Sequence, residues 1–417
     1  MKITIHRGSK EIGGTCIELA TSRTKILLDL GAPLSENSRN LDPKPLKVDA
    51  VLISHPHQDH YGLIEQLDEK TPVYLGVLGK SLIDATRIFL KREVPANNFK
   101  PFTRGNTFMV GDFTITPYLV DHSAVDAYAF LVEAEGQRIF YSGDFRAHGR
   151  KSVLFDRMIK NPPADIDLLF LEGTMLRRDN SEFPSEAHVQ KKISELIRDQ
   201  QNMSFLISSS QNIDRLVSAY KACIVTEKIL VLDIYTAWVL ELMNQVTRNV
   251  PDMSWDLIKV YTSNSQYQTM KASREYFGSF ANRVWDSRVT MDGLQNRPAD
   301  YLFFGKMSHF KTISRFKAQG GINLIYSQWQ GYLKYSSKDY FGAEEIAALK
   351  DDPQVDFTYA HTSGHATLED LQNFARAINP RALVPIHTEF ADDYTGHFEN
   401  VVSIEDGKPY DCYSIRS

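Results

Sequence analysis

Residues 54–62 read Ser54-His55-Pro56-His57-Gln58-Asp59-His60-Tyr61-Gly62, placing three histidines and one aspartate in the spacing His-x-His-x-Asp-His. Histidine makes up only 12 of the 417 residues, so three within one hexapeptide is a chemical feature and not an effect of composition. The stretch follows Ala50-Val51-Leu52-Ile53, an apolar run that reads as a buried strand. In extended geometry side chains alternate, so His55 and His57 share one side of the chain. If the chain then turns into a helix, Asp59 and His60 move to a second point a few Å away. Imidazole with carboxylate suits zinc or a neighbouring first-row ion better than magnesium. The spacing therefore suggests two adjacent metal positions. A merely polar, histidine-rich loop is the alternative.

Length and composition bound what surrounds that stretch. A chain of 417 residues is long for one domain, and two packed units are expected. Hydrophobic residues make up 42% and charged residues 24%, the usual balance for a globular protein in water. The net charge of −5 argues against a chain that coats nucleic acid but leaves room for a local basic groove. Cys16, Cys223 and Cys412 are odd in number and far apart, which reads as free thiols in a reducing compartment. The chain opens on the short strand pattern Met1–His6 and carries no apolar run long enough to span a membrane. A cytoplasmic protein without membrane contact is expected.

Residues 1–184 are strand-rich, with runs at Ile3–His6, Gly14–Ala20, Lys25–Leu30, Val51–Ser54, Phe113–Val120, Tyr128–Ala134, Arg138–Ser142 and Leu168–Leu171. Glu135-Gly136 reads as a hairpin turn. Helical spacing here is sparse, at Leu63–Leu67 and about Gly79–Lys91. From Ser185, a plausible N-cap, strand and helix patterns alternate, which predicts a parallel-sheet α/β unit over 185–345. In 346–417, Thr367 and Asp370 predict a capped helix with one apolar face, followed by a strand ending in His387. The pattern describes one domain over 1–184 and 346–417, interrupted by a second.

Four further ligand-type residues sit at predicted strand ends: Asp29, His122, Asp144 and His387. Singly each would read as a turn residue or cap. In this order, after the histidine cluster, they resemble the motifs of the metallo-β-lactamase superfamily. That resemblance implies an αββα sandwich with two zinc ions, replaceable by Mn²⁺, at one sheet edge. His55, His57 and His122 would hold one ion, and Asp59, His60 and His387 the other. Asp144 would bridge them, and Asp29 would orient a ligand histidine. Glu172 in Leu171-Glu172-Gly173-Thr174, His365 in His361-Thr362-Ser363-Gly364-His365, and His387 in Pro385-Ile386-His387 narrow the resemblance to the β-CASP nucleases and, among them, the ribonuclease J group. His122–Tyr128 and Asn212-Ile213-Asp214-Arg215 are also similar to that group.

The resemblance implies a hydrolase of single-stranded RNA, acting as endonuclease, 5′ exonuclease or both. A metal-bound hydroxide would attack phosphorus between cations about 3.5–4 Å apart. His365 would donate to, or bind, the scissile phosphate, with Glu172 fixing a ligand imidazole. Ser363, Gly364, His361 and Arg215 are candidate substrate contacts, and Trp329, Tyr332 and Tyr335 candidate base-stacking residues. Phe304–His309 stands where the group has a glycine-rich Ser-Gly-Ser-Gln-Gly-Glu stretch. Lys306, Lys311, Arg315 and Lys317 in and after it read as a phosphate-binding face or as a solvated helix face. The chain ends thirty residues past His387, without the group's further C-terminal domain. A DNA substrate, a hydrolase of a small ester or thioester, and an inactive nucleic-acid-binding subunit are the competing readings. A homodimer is compatible with all of them.

Overall fold

The computed structural model describes residues 1–34, 38, 41–247 and 249–415. The chain forms two units, one of Met1–Ile83, Pro95–Asp179 and Ser363–Ser417, the other of Asp84–Val94 and Asn180–Thr362.

Period-two alternation builds the first unit. Ile3, Ile5, Ile17, Leu19, Ile26 and Leu28 point to one face of a sheet, where they are buried against Phe113, Ile115, Phe130, Val132, Ile139 and Phe170 of a second sheet. Among the described residues, the first sheet has seven strands in the order Pro409–Asp411, Lys2–Arg7, Cys16–Ala20, Lys25–Leu28, Ala50–Leu52, Pro72–Gly76 and Asn98–Phe102. The second has six, in the order Ala382–Ile386, Leu168–Glu172, Gln137–Tyr141, Tyr128–Ala134, Phe113–Leu119 and Phe108–Val110. Glu135 and Gly136 both take positive φ, the backbone that a tight hairpin turn requires.

Helical segments cover both outer faces. Tyr61, Ile64, Leu67 and Ile83 pack on the first sheet through Leu27, Val51, Ile53 and Val73. Phe155 and Met158 from the helix Val153–Lys160, with Leu371, Phe374 and Ile378 from the helix Leu368–Ile378, pack on the second. The unit is an αββα sandwich. Thr367 and Asp370 close a reciprocal capping box at the start of Leu368–Ile378, and Asn379 in the left-handed region ends it.

The strands that lead to the site run the same way. Lys25–Leu28 is parallel to Ala50–Leu52, while Gln137–Tyr141, Leu168–Glu172 and Ala382–Ile386 are mutually parallel. Their carboxyl ends therefore meet at one edge of the sandwich, where loops can present side chains from a rigid base. The single helix expected at Leu63–Leu67 is a short helix, Gln58–Tyr61, followed by a 3-10 turn, Ile64–Gln66. The two are separated because the Leu63 N–H turns away to the Leu30 carbonyl at 3.1 Å.

The second unit holds a parallel sheet of seven strands among the described residues. Their order is Arg288–Val289, Ile258–Tyr261, Ile229–Asp233, Tyr301–Gly305, Met203–Ile207, Ile322–Tyr326 and Val355–Tyr359. The last strand pairs in parallel with Ile322–Tyr326, so this unit runs to Thr362 and not to 345. Asp84–Val94 also belongs to it, which the sequence did not suggest.

Candidate metal centre

Each strand ending at the shared edge delivers a polar side chain. Asp29 follows Lys25–Leu28, His55 follows Ala50–Leu52, Asp144 follows Gln137–Tyr141, Glu172 ends Leu168–Glu172, and His387 follows Ala382–Ile386. Asp29 and His387 adopt positive φ, a conformation that most L residues avoid and that sharp turns at functional sites often hold. Gly31 lies so close to the helical turn carrying Asp59 and His60 that a Cβ there would meet the Asp59 carbonyl oxygen at 1.6 Å. Buried Arg7 braces this loop, donating from Nε to the Gly14 carbonyl at 2.6 Å and from its guanidinium to the Gly31 carbonyl.

The ligand-type atoms fall into overlapping groups. One contains His55, His57 and His122; a second Asp59, His60 and His387; a third His55, His60 and Asp144. A fourth joins Asp144, Glu172, His365 and His387. Asp144 lies between the first two groups, with Oδ2 3.1 Å from His60 Nε2 and 3.9 Å from His55 Nε2, and Oδ1 3.8 Å from His387 Nδ1. Asp59 Oδ2 is 3.4 Å from His387 Nε2.

Protonation follows from these surroundings. Burial, reinforced by neighbouring imidazoles, pulls His55 and His122 well below the ordinary histidine value, and burial takes His57 to about 4. Burial would raise Asp59 and Asp144, but His60 and His387 outweigh it and hold both carboxyls well below their usual range. His55, His57 and His122 are thus held neutral, the form that ligates a cation, whereas at His60 burial is outweighed by the carboxylates of Asp144, Asp29 and Asp59, which raise it well above the ordinary value, so its proton must leave when a cation binds. His122 Nε2 is buried with no hydrogen-bond partner among the described residues, although buried polar atoms are normally satisfied. The donor set therefore fits a metal centre.

An outer ring fixes the imidazoles. The wholly buried Asp29 carboxylate accepts from the Ser54 N–H at 2.6 Å, the Ser54 hydroxyl at 2.7 Å and the Tyr141 hydroxyl at 2.5 Å, and it lies 2.7 Å from His60 Nδ1. Ser54 Oγ also lies 3.0 Å from His55 Nδ1, and Thr174 Oγ1 lies 2.8 Å from His387 Nδ1. His122 Nδ1 donates to the Gly364 carbonyl at 2.6 Å. These contacts set which ring nitrogen faces the cluster.

His365 stands at the partly exposed side, with Nδ1 3.2 Å from Glu172 Oε1 and 3.8 Å from Asp144 Oδ2. Burial would lower its pKa, but the carboxylates of Glu172 and Asp144 outweigh burial and raise it. Glu172 is itself held by the Phe145 and Thr174 N–H groups, and the imidazole it bonds is His365 rather than that of an expected ligand histidine. Ser363 and Gly364 belong to the same loop, where the Ser363 hydroxyl accepts from the His365 N–H at 3.0 Å.

Arg215 departs from its expected role as a substrate contact. It is fully buried in the second unit, ion-paired with Glu186 at 3.1 Å and donating to the Ser327 carbonyl at 2.8 Å, because it lies on the inward face of Ile213–Thr226. His361 also belongs to that unit and donates from Nδ1 to the Ser327 carbonyl at 3.2 Å. Lys306 and Lys317 pair with Asp233 and Asp352, and Lys311 lies over the Phe310 ring, so these cations do not form one open face. Tyr332 stacks on Tyr340 at 4.6 Å, which is ordinary packing, whereas Trp329 is exposed. Sequence reasoning gave no role to Ser54, Tyr141, Thr174, Arg146 or His148. No local pattern marks them.

Residues 24–204 match the Beta-lactamase superfamily domain, and residues 357–403 match the Zn-dependent metallo-hydrolase RNA specificity domain. Ribonuclease J of Mycoplasma pneumoniae is 23% identical over 429 residues, covering 93% of this chain and 68% of that protein. Ribonuclease J of Sinorhizobium meliloti is 24% identical over 391 residues, covering 90% of this chain and 62% of that protein. A protein named Probable RNase MJ4 from Methanocaldococcus jannaschii is 22% identical over 423 residues, covering 93% of each chain. The crystal structure of a protein of unknown function from Enterococcus faecalis V583 superposes with a TM-score of 0.75 at 21% identity, covering 98% of this chain and 99% of that one. That likeness carries the fold alone.

Proposed function

We propose that this chain, a member of the metallo-β-lactamase superfamily with a β-CASP-type inserted unit, is a two-zinc ribonuclease hydrolysing phosphodiester bonds of single-stranded RNA. The observation that carries the reading is the convergence of two three-residue ligand groups on Asp144, with His365 beside them. His55, His57 and His122 would hold one zinc, Asp59, His60 and His387 the other, and Asp144 both. Relatives named Ribonuclease J and the RNA specificity domain over 357–403 support RNA as the polymer. The chain spans 56–68% of the length of those named Ribonuclease J, so their activity is extended here as a proposal.

Bound zinc would supply charge neutralisation at phosphorus and an activated water. The chain's own residues do the rest. Asp29, Ser54, Thr174 and the Gly364 carbonyl hold the ligand imidazoles in one orientation. The carboxylates of Glu172 and Asp144 favour a protonated His365, which can donate to the leaving oxygen or bind the phosphate. Ser363 and Gly364 lie next to His365 on the loop that would meet the phosphate. The three buried free cysteines fit a reducing cytoplasm, and among the described residues no helix is long and apolar enough to cross a membrane.

The test incubates one single-stranded RNA as linear 5′-monophosphate, linear 5′-hydroxyl and circle, with the matching DNA, in Zn²⁺ or Mn²⁺. Cleavage of the circle that is lost in Asp59→Ala establishes an endonuclease. Mononucleotides from the linear 5′-monophosphate alone establish a 5′ exonuclease. Faster cleavage of DNA overturns the RNA assignment. Zinc binding without cleavage of either polymer returns the protein to a small-molecule hydrolase or a binding subunit.

A further inference from the structure

We infer that Arg146 is a positioning residue that locks the loop carrying His365 to the loop carrying His122, so that one side chain sets both a ligand imidazole and the candidate proton donor. The inference rests on reading the cluster as a metal centre. Arg146 follows Asp144 by two residues, is fully buried, and is not part of any ligand group. Its Nε lies 3.4 Å from Asp121 Oδ1, and its backbone N–H donates to the Asp121 carbonyl at 2.7 Å, next to His122. Its NH1 donates to the Ser363 carbonyl at 3.0 Å.

The Ser363 carbonyl receives a second donor, His148 Nε2, at 3.0 Å. The next residue, Gly364, accepts from His122 Nδ1 at 2.6 Å, and the one after is His365. A guanidinium, a carboxylate and the carbonyls of Ser363 and Gly364 thus close a ring from Asp121-His122 through Arg146 to Ser363-Gly364-His365. Carbonyl oxygens only accept, so His122 must carry its proton on Nδ1 and turn Nε2 toward His55 and His57. The geometry leaves no slack: a Cβ on Gly149 would fall 2.4 Å from Arg146 Nε and 2.5 Å from Asp121 Oδ2. Lys151 adds a further tie, donating to the His122 carbonyl at 3.3 Å. A lysine at 146 keeps the charge but cannot present planar donors to Asp121 and Ser363 at once.

The test compares wild type with Arg146→Lys and His148→Asn, using zinc competition with a chromogenic chelator and steady-state kinetics on a short single-stranded RNA. Outer contacts of this kind change metal affinity by about 10–100-fold. For Arg146→Lys we expect zinc affinity and kcat each to fall by about tenfold or more, with KM within about twofold. His148→Asn, which removes one of two donors to the same carbonyl, is expected to show the same partition with a smaller loss, and it serves if Arg146→Lys does not fold. Folded variants with wild-type zinc affinity and kcat, or a loss falling on KM alone, overturn the inference. A wild-type protein that binds no zinc overturns the metal-centre reading itself, which the chelator experiment detects without any RNA.

Discussion

His60 and Asp29 form a closed pair, with Nδ1 2.7 Å from Oδ2 and neither side chain exposed to solvent. The carboxylate also takes both donors of Ser54 and the Tyr141 hydroxyl, so it joins two sheets beneath the cluster. Asp29→Ala leaves those donors buried and unpaired. Breaking a buried charged network by removing one partner costs on the order of 3–5 kcal/mol, and a loss of that size in urea unfolding of the metal-free protein is expected. Asp29→Asn, which keeps the shape, should instead show mainly a 10–100-fold loss of zinc affinity.

Gly31 permits the close approach of two loops. Alanine there would drive its Cβ into the Asp59 carbonyl, forcing the helical turn of Asp59 and His60 outward. Gly31→Ala should destabilise the fold by roughly 1–3 kcal/mol and reduce bound zinc, measured by thermal denaturation and metal analysis. Gly136→Ala is the control, since its added Cβ would have open space around it and only its turn backbone would be strained.

Glu172 and Asp144 raise His365 above the ordinary 6.5 despite burial, which acts the other way. In the metal-free protein the imidazole should therefore titrate above 6.5 by NMR. Glu172→Gln removes the largest opposing charge and should move that titration down. An unchanged midpoint would show that Glu172 does not act on His365 electrostatically.

His309 gives a pH dependence remote in sequence from the ligands. Its Nδ1 accepts from the Lys306 N–H at 3.0 Å, which only the neutral ring can do, and burial holds its pKa at about 4 although Asp233 opposes this. The folded value is depressed, so the unfolded chain binds the proton more readily as pH falls. This contribution is complete above about 6.5 and is lost between there and 4, amounting to on the order of 3 kcal/mol. Unfolding midpoints of the metal-free protein across that window should fall in the wild type and fall less steeply in His309→Gln, the buried His55, His57 and His122 supplying the slope that remains.

What the sequence disclosed depended on whether a role was local. The ligand-type residues stand at the ends of apolar runs, and a run followed by histidine or aspartate can be read from neighbours alone. Thr367 and Asp370 were legible for the same reason, because a capping box spans only four residues. Pro72–Gly76 and Asn98–Phe102 were passed over because Pro72, Lys100 and Pro101 weaken a strand pattern that pairing with neighbouring strands sustains. Arg215 read as an available cation because Glu186, its partner, lies on a different helix. Arg146 and His148 were silent because their shared acceptor is more than two hundred residues away.

That separation bears on how the chain comes to be folded. Asp59 meets His387 across 328 residues, and the strand Lys2–Arg7 pairs with Pro409–Asp411. Contacts this distant in sequence close late, because the loop entropy must be overcome before any contact rewards it. During synthesis, residues 1–179 can emerge and begin to collapse with an exposed sheet edge at Leu168–Glu172, whose neighbour Ala382–Ile386 is not yet made. The nascent chain thus holds an unfinished set of candidate ligands, and a ribosome stalled before Ala382 would carry a sandwich short of one edge strand in each sheet, Ala382–Ile386 and Pro409–Asp411, and prone to aggregate.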